Sequence, residues 1–249
     1  MWTIKHIFDG EYGCEERMPG EEPKCVVTLV DEEGNERRLM AVDSWLVKNK
    51  LDVGSVWDKE VFDIVDEAGM PTGGYVERSH AHAEGIRHRT ANVWVYRVNE
   101  GKVQVLLQRR ALIKESFPGC YDTSSAGHIP AGSEPLESAI RELEEELGVR
   151  AGEEQLVYAG MYKGGFEKEF RGKMFRENEV VFVYCYTEPV KEEDLVLQVE
   201  EVDSVKWFDY ADVVEKRKAK DPNFCVPWGG LKAIGEYFKK IGIIDEVNL

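Results

Sequence analysis

Apolar and polar residues alternate in short runs along most of this chain, and in one place the spacing switches to that of a helix. Residues 25–30 and 37–42 alternate as strands do, and Asp31-Glu-Glu-Gly-Asn35 between them is turn-forming, which predicts a hairpin. Residues 43–48 open on Asp-Ser and predict a short helix. Asp52-Val-Gly-Ser55 then punctuates the chain before Val56 and Trp57. A second hairpin is predicted from residues 61–65 and 75–78 around Glu67-Ala-Gly-Met70. Residues 91–98 and 103–108 are β-prone and are split by Asn99-Glu-Gly101. Farther on, residues 156–161 and 179–186 predict strands joined by a charged, glycine-bearing loop. Residues 202–208 predict a strand, 210–218 a helix, and 228–241 a closing helix that carries three glycines. Strands that flank a loop and helix predict an α/β fold.

The helical switch falls in residues 127–149. Leu136, Ile140, Leu143 and Leu147 recur on one stripe, which a helix buries. Glu142, Glu145 and Glu146 share another face, within a sector of roughly 100°. Ser133 fits the N-cap and Gly148 a left-handed C-cap. Like charges one turn apart cost roughly 0.2–0.5 kcal/mol per pair. A helix that accepts this cost either lies open to solvent, as an ordinary acidic face, or holds a cation. Clustered carboxylates suit hard divalent ions such as Mg²⁺ or Mn²⁺.

This stretch resembles the Nudix box, a glycine and short loop followed by Arg-Glu-hydrophobic-x-Glu-Glu-x-Gly-hydrophobic. Gly127 opens it, and Arg141, Glu142, Leu143, Glu145, Glu146, Gly148 and Val149 occupy matching positions. Where the box has its first glutamate the chain has Ser133, with Glu134 beside it. The resemblance implies an α/β/α sandwich with a mixed sheet for residues 58–249, and a pyrophosphohydrolase acting on a small-molecule diphosphate. Residues 1–57 then form a separate small β-rich module. Nothing in them carries recognisable chemistry, so a packing or homodimerisation role is expected, with substrate covering as the other reading.

Composition narrows the partners. A net charge of −16 argues against nucleic acid polymers and anionic membrane surfaces, and requires local cations wherever an anionic substrate binds. The 43% hydrophobic content is ample for a core. The five cysteines (Cys14, Cys25, Cys120, Cys185 and Cys225) form no CxxC pair. The first residues hold no apolar signal core, and no run reaches the ~18 apolar residues of a membrane span. A cytoplasmic protein in a reducing compartment is expected.

A second resemblance lies outside the box. His82, Gly85, His88-Arg89, Arg110-x-x-x-Lys114, Phe117-Pro-Gly, Gly127-His128, Glu177-Asn-Glu179 and Pro227-Trp228 resemble the isopentenyl-diphosphate isomerases, a branch of the same superfamily. It implies a transition-metal site made by His82, His88, His128, Glu177 and Glu179. It also implies that Arg110 and Lys114 hold the diphosphate, with Trp228 beside the substrate. Read without the resemblance, His88 is a core strand residue and His82 a turn residue. One position departs decisively: Ala126 stands where the isomerases place their catalytic cysteine. A double-bond shift needs a proton donor and acceptor on opposite faces of the substrate, and a methyl group is neither.

Phosphoanhydride hydrolysis needs metal to neutralise phosphate charge and a base to activate water. Glu142, Glu145, Glu146 and the Gly127 carbonyl are the expected ligands of Mg²⁺ or Mn²⁺, with Glu145 essential to turnover. Glu179, alternating inward on its strand, is the expected base or additional ligand, and Glu177 is its rival. Arg141 is expected to orient the acidic cluster. Two other functions stay open: an isomerase-like enzyme on a prenyl diphosphate, and a module that senses a nucleotide or metabolite without turnover.

Overall fold

The structure, a computed structural model, describes residues 1–9 and 23–247; Cys14 lies outside the described residues. The N-terminal strands β1 (Thr3–Asp9), β2 (Lys24–Val30) and β3 (Glu36–Val42) are followed by α1 (Asp43–Lys48), β4 (Val61–Val65) and β5 (Pro71–Glu77). In the β2–β3 turn the Asp31 carboxylate accepts from the backbone N–H groups of Glu33 and Asn35, and Gly34 takes φ +87°. Alternation buries Val27 and Leu29 on β2 against Leu39 and Ala41 on β3.

The hairpin of β4 and β5, expected to open the second unit, joins this first sheet. β5 runs parallel to β3, pairing Leu39 with Tyr75 and Met40 with Val76, in a sheet ordered β1-β2-β3-β5-β4. The sheet therefore continues past residue 57. Its core also takes in Ala131, from the loop ahead of the glutamate helix.

A helix follows that the hydrophobic pattern did not reveal: α2 (Arg78–Glu84). The Glu77 side chain caps it by accepting from His80 N at 3.1 Å, and Gly85 ends it at φ +69°. His82 is thus a helix residue, not a turn residue.

The second sheet is built from β6 (His88–Asn99), β7 (Lys102–Arg110), β8 (Tyr121–Asp122), β9 (Ser125–His128), β10 (Leu156–Phe170), β11 (Lys173–Tyr186) and β12 (Val202–Asp209). Its main path is β10-β11-β6-β7-β12, with β8 beside β7 and β9 beside β6. The β11–β6 pair is parallel and the others antiparallel, so the sheet is mixed. Three helices cover it: α3 (Pro135–Leu147), α4 (Tyr210–Lys218) and α5 (Trp228–Lys240). The period of two divides β6 between the faces. Val93 and Val95 pack with Ala139, Leu143 and Leu147 of α3, while Trp94 packs with Val213 of α4 and Leu231 and Ile234 of α5. The result is an α/β/α sandwich.

Two sequence expectations change. Residues 162–170 and 173–178 are strand and not loop. β10 and β11 form one long hairpin that closes at Arg171-Gly172, both at positive φ. Helix α3 begins at Pro135 with Glu134 at the N-cap, so Ser133 lies one residue outside it and does not cap it. The glycines of α5 permit close packing: a Cβ at Gly229 would overlap the Tyr162 ring, and one at Gly235 the Tyr210 hydroxyl.

Candidate active site

Helix α3 lays its carboxylates along β9. Glu146 is buried; its Oε2 accepts from Gln108 Nε2 at 3.1 Å and from Ala126 N at 3.0 Å. Burial pushes its carboxyl up to about 8, against the pull of the Ala126 hydrogen bond. Glu142 is also shifted upward, chiefly by burial. Arg141 offsets this, donating to Glu142 Oε1 at 2.7 Å, with its Nε 3.8 Å from Glu145 Oε1. Arg141 also donates to the His128 carbonyl at 3.4 Å. It thus bridges two of the glutamates and the end of β9. Glu145 is the exposed member of the trio, with 53% of its side chain accessible.

The three histidines arrive on three elements: His82 on α2, His88 at the start of β6, and His128 at the end of β9. Sheet register places Glu179 of β11 opposite His88, and Thr90, two residues along β6, opposite His128. The period of two then brings Glu177 to the same side of β11 as Glu179. Ligand atoms of His82, His88, His128 and Glu177 all lie within 4.8 Å of one another. Glu177 Oε1 is 3.3 Å from His82 Nε2 and 3.7 Å from His88 Nε2. Glu179 Oε1 is 3.7 Å from His88 Nε2 and 3.6 Å from His128 Nε2, and it accepts from the Thr90 hydroxyl.

The second ring nitrogens fix two of the tautomers. His82 Nδ1 meets the Arg78 carbonyl at 2.9 Å and His88 Nδ1 meets the Ile86 carbonyl at 2.8 Å. A carbonyl only accepts, so each Nδ1 carries the proton and each Nε2 presents an unprotonated lone pair. All three Nε2 atoms, with Glu177 Oε1, are buried without a hydrogen-bond partner. Burial pushes Glu177 and Glu179 up to about 7 and lowers the three histidines, His128 well below its ordinary value. Lone pairs converging in a buried pocket are costly unless a cation sits among them. The donor set fits a divalent transition ion.

Both groups border one cleft of about 680 Å³, with Glu142, Glu145, Glu146, Gly127, His128, Glu177 and Glu179 in its wall. Arg110 and Lys114 face it too. Arg110 donates to Ser116 O and Ser116 Oγ, both at 3.1 Å, and lies 3.3 Å from Asp122, while Lys114 pairs with Glu201. Trp228 is exposed and is not in the wall; its neighbour Pro227 is. Ala126 puts a methyl group in the cleft wall. Among the wall residues that escaped the sequence reading is a charged pair, Arg78, which opens α2, and Glu60, its partner at 2.9 Å. Arg78 stands four residues before His82, a legible signal once that segment is seen as helix.

The NUDIX domain family model matches residues 86–228, more than half of the chain. The chain belongs to the Nudix hydrolase family. It is 39% identical to Nudix hydrolase 3 of Arabidopsis thaliana over 199 residues, which cover 76% of this chain and 24% of that protein. It thus spans about a quarter of that relative's length. It is 32% identical to the isopentenyl-diphosphate Delta-isomerase of Roseobacter denitrificans over 157 residues, covering 61% of this chain and 81% of the isomerase. Among solved structures, DR0079 of Deinococcus radiodurans shares 20% identity at a TM-score of 0.47, covering 64% and 90% of the two chains. Among the described residues, no helix is long and apolar enough to cross a membrane.

Proposed function

We propose that this chain is a divalent-metal-dependent hydrolase that cleaves a phosphoanhydride bond in a small diphosphate compound, such as a nucleoside diphosphate linked to another group. The supporting observation is that the α3 carboxylates, the cations Arg78, Arg110 and Lys114, and His128, Glu177 and Glu179 of the histidine–glutamate cluster all face one cleft, with His82 and His88 buried behind them.

Glu142 and Glu146 would hold Mg²⁺ or Mn²⁺ with the Gly127 carbonyl, and His82, His88, His128, Glu177 and Glu179 would hold a transition ion. Bound metal supplies charge neutralisation at the phosphoryl oxygens and a more acidic water. Arg110 and Lys114 bind the diphosphate, and Arg78 adds a third cation. Arg110 is the better fixed, since Ser116 and Asp122 hold its guanidinium. Glu177 and Glu179 are committed to imidazoles and Glu146 to Gln108 and Ala126. Glu145, exposed at the cleft, is therefore the carboxylate with freedom to orient and deprotonate water.

The isomerase relatives support a second reading, turnover of a prenyl diphosphate, but Ala126 leaves that chemistry without its proton donor. A screen of diphosphate compounds with Mg²⁺ or Mn²⁺, reading released phosphate or monophosphate, tests the first reading. Isomerised prenyl diphosphate with no hydrolysis product would favour the second.

A further inference from the structure

The loop between His128 and α3 is gripped by the N-terminal sheet at three consecutive residues, Pro130, Ala131 and Gly132. Ala131 N donates to Val61 O at 2.8 Å and Gly132 N to Asp63 Oδ2 at 2.9 Å, while Pro130 bridges to Phe62. Asp63 is itself pinned by Arg89 at 2.8 Å, in a buried ion pair. The longest reach comes from β3. Arg37 Nη2 donates to the Ala131 carbonyl at 2.8 Å, and its guanidinium lies over the Trp2 ring at 4.3 Å and near the Tyr75 ring at 5.4 Å. Gly132 takes φ +81° with Arg37 Nη2 only 2.9 Å from where a Cβ would stand, so the loop is shaped around this side chain. Deeper, the fully buried Phe62 ring stacks on His88 at 4.8 Å and on His128 at 4.7 Å.

We infer that the N-terminal sheet is a positioning element of the metal centre, with Arg37 setting the loop that joins β9, which carries the Gly127 carbonyl, to the start of α3, and Phe62 setting the imidazoles of His88 and His128. The inference rests on the metal reading above. Neither residue lines the cleft or belongs to the proposed ligand sets. Each acts through a neighbour: Arg37 through one carbonyl of a short loop, Phe62 through two ring faces. A ligand set must be held within about 0.5 Å of its working geometry. A loop of a few residues between two ligand-bearing elements does not hold such tolerance without outside contacts. The sheet that carries no catalytic side chain of its own supplies them.

The experiment measures ion binding directly, on the full chain and without substrate. Mn²⁺ affinity is read by titration, and retained transition metal by elemental analysis after dialysis against a mild chelator. Arg37→Met keeps packing over Trp2 and Tyr75 but removes the donor. It is expected to weaken Mn²⁺ binding about tenfold, the equivalent of ~1.4 kcal/mol. Arg37→Lys, which restores a donor and a cation, recovers most of that affinity. Arg38→Met, on the exposed side of the same strand, leaves binding unchanged. Phe62→Leu loses transition metal faster than wild type while Arg38→Met retains it. Wild-type affinity and metal content in both Arg37→Met and Phe62→Leu overturn the positioning role. So does equal weakening in Arg38→Met. A wild-type protein that binds neither ion overturns the metal reading itself, a result distinct from intact binding that the variants fail to perturb.

Discussion

Gly127 lies against the carboxylate of Glu142 so closely that a Cβ at position 127 would overlap it. Gly127 is outside the left-handed region, so its backbone tolerates alanine and the only conflict is with that carboxylate. Gly127→Ala is expected to swing Glu142 out of place and lower turnover by about 10²-fold, as loss of one fixed electrostatic group does. The fold should survive, because the Glu142 side chain is not part of the apolar core. Initial rates at saturating metal, beside a thermal melt, check both halves.

The two ends of the acidic face should respond differently to neutralisation. Glu145→Gln removes an exposed carboxylate from the cleft and is expected to cost at least about 10²-fold in rate with no change in melting temperature. Glu146→Gln should cost a similar factor in rate. At pH 8, without metal, it should also melt no lower than wild type, since it removes a carboxyl that burial already disfavours as an anion. Near-wild-type turnover by both variants would remove α3 from the mechanism.

Stability of the metal-free protein should fall as pH rises from about 6.5 to above 8. Burial makes the carboxyls of Glu146, Glu177 and Glu179 titrate higher in the folded chain, at about 8, 7 and 7, than the ordinary glutamate value of 4.5. Above pH 4.5 the folded state therefore holds protons that the unfolded state has released, and stability declines until the folded values are passed. The buried histidines act oppositely, but their contribution is complete near their unfolded value of 6.5. The three carboxyls continue to act above it. Melting temperature with chelator present should drop by on the order of 5 °C across that window. Added Mn²⁺ should reverse the drop, because an ion stabilises the same carboxylates as anions.

Much of this site was legible in the sequence for a physical reason: helix period and strand period fix which side chains share a face. Leu143 and Leu147 bury on one side of α3 while Glu142 and Glu146 face β9. The Glu177-x-Glu179 spacing places both acids on one side of β11. What stayed hidden depended on tertiary contacts. The short α2, rich in alanine and histidine, has no apolar stripe to announce it, so Arg78 reads as the end of a strand and His82 as a turn residue. Residues 162–178 carry glycines and charges that suggest a loop, but pairing across the hairpin overrides that composition. The role of Arg37 depends on a carbonyl 94 residues away and has no local signature.

Removing one imidazole should empty the histidine cluster while leaving the α3 carboxylates in place. His88 is fully buried and its Nδ1 is held by Ile86 O, so His88→Ala takes away a fixed donor and also opens a cavity. Protein purified without chelator is expected to carry close to one transition ion per chain, and the variant much less. His88→Asn, closer in volume, separates metal loss from cavity cost. Wild-type protein free of Zn, Mn and Fe would leave the glutamate helix as the only working metal site.

The central claim is that water attacks a phosphoanhydride in the cleft shared by α3 and the histidine cluster. The most direct measurement incubates the protein with a panel of nucleoside-diphosphate-linked compounds in heavy-oxygen water and locates the label by mass spectrometry. The account expects cleavage of at least one compound only when Mg²⁺ or Mn²⁺ is present, with the label in a released phosphate group and no product from Glu145→Gln. It is contradicted if folded, metal-loaded protein cleaves none of them, or if a prenyl diphosphate is rearranged without taking up the label.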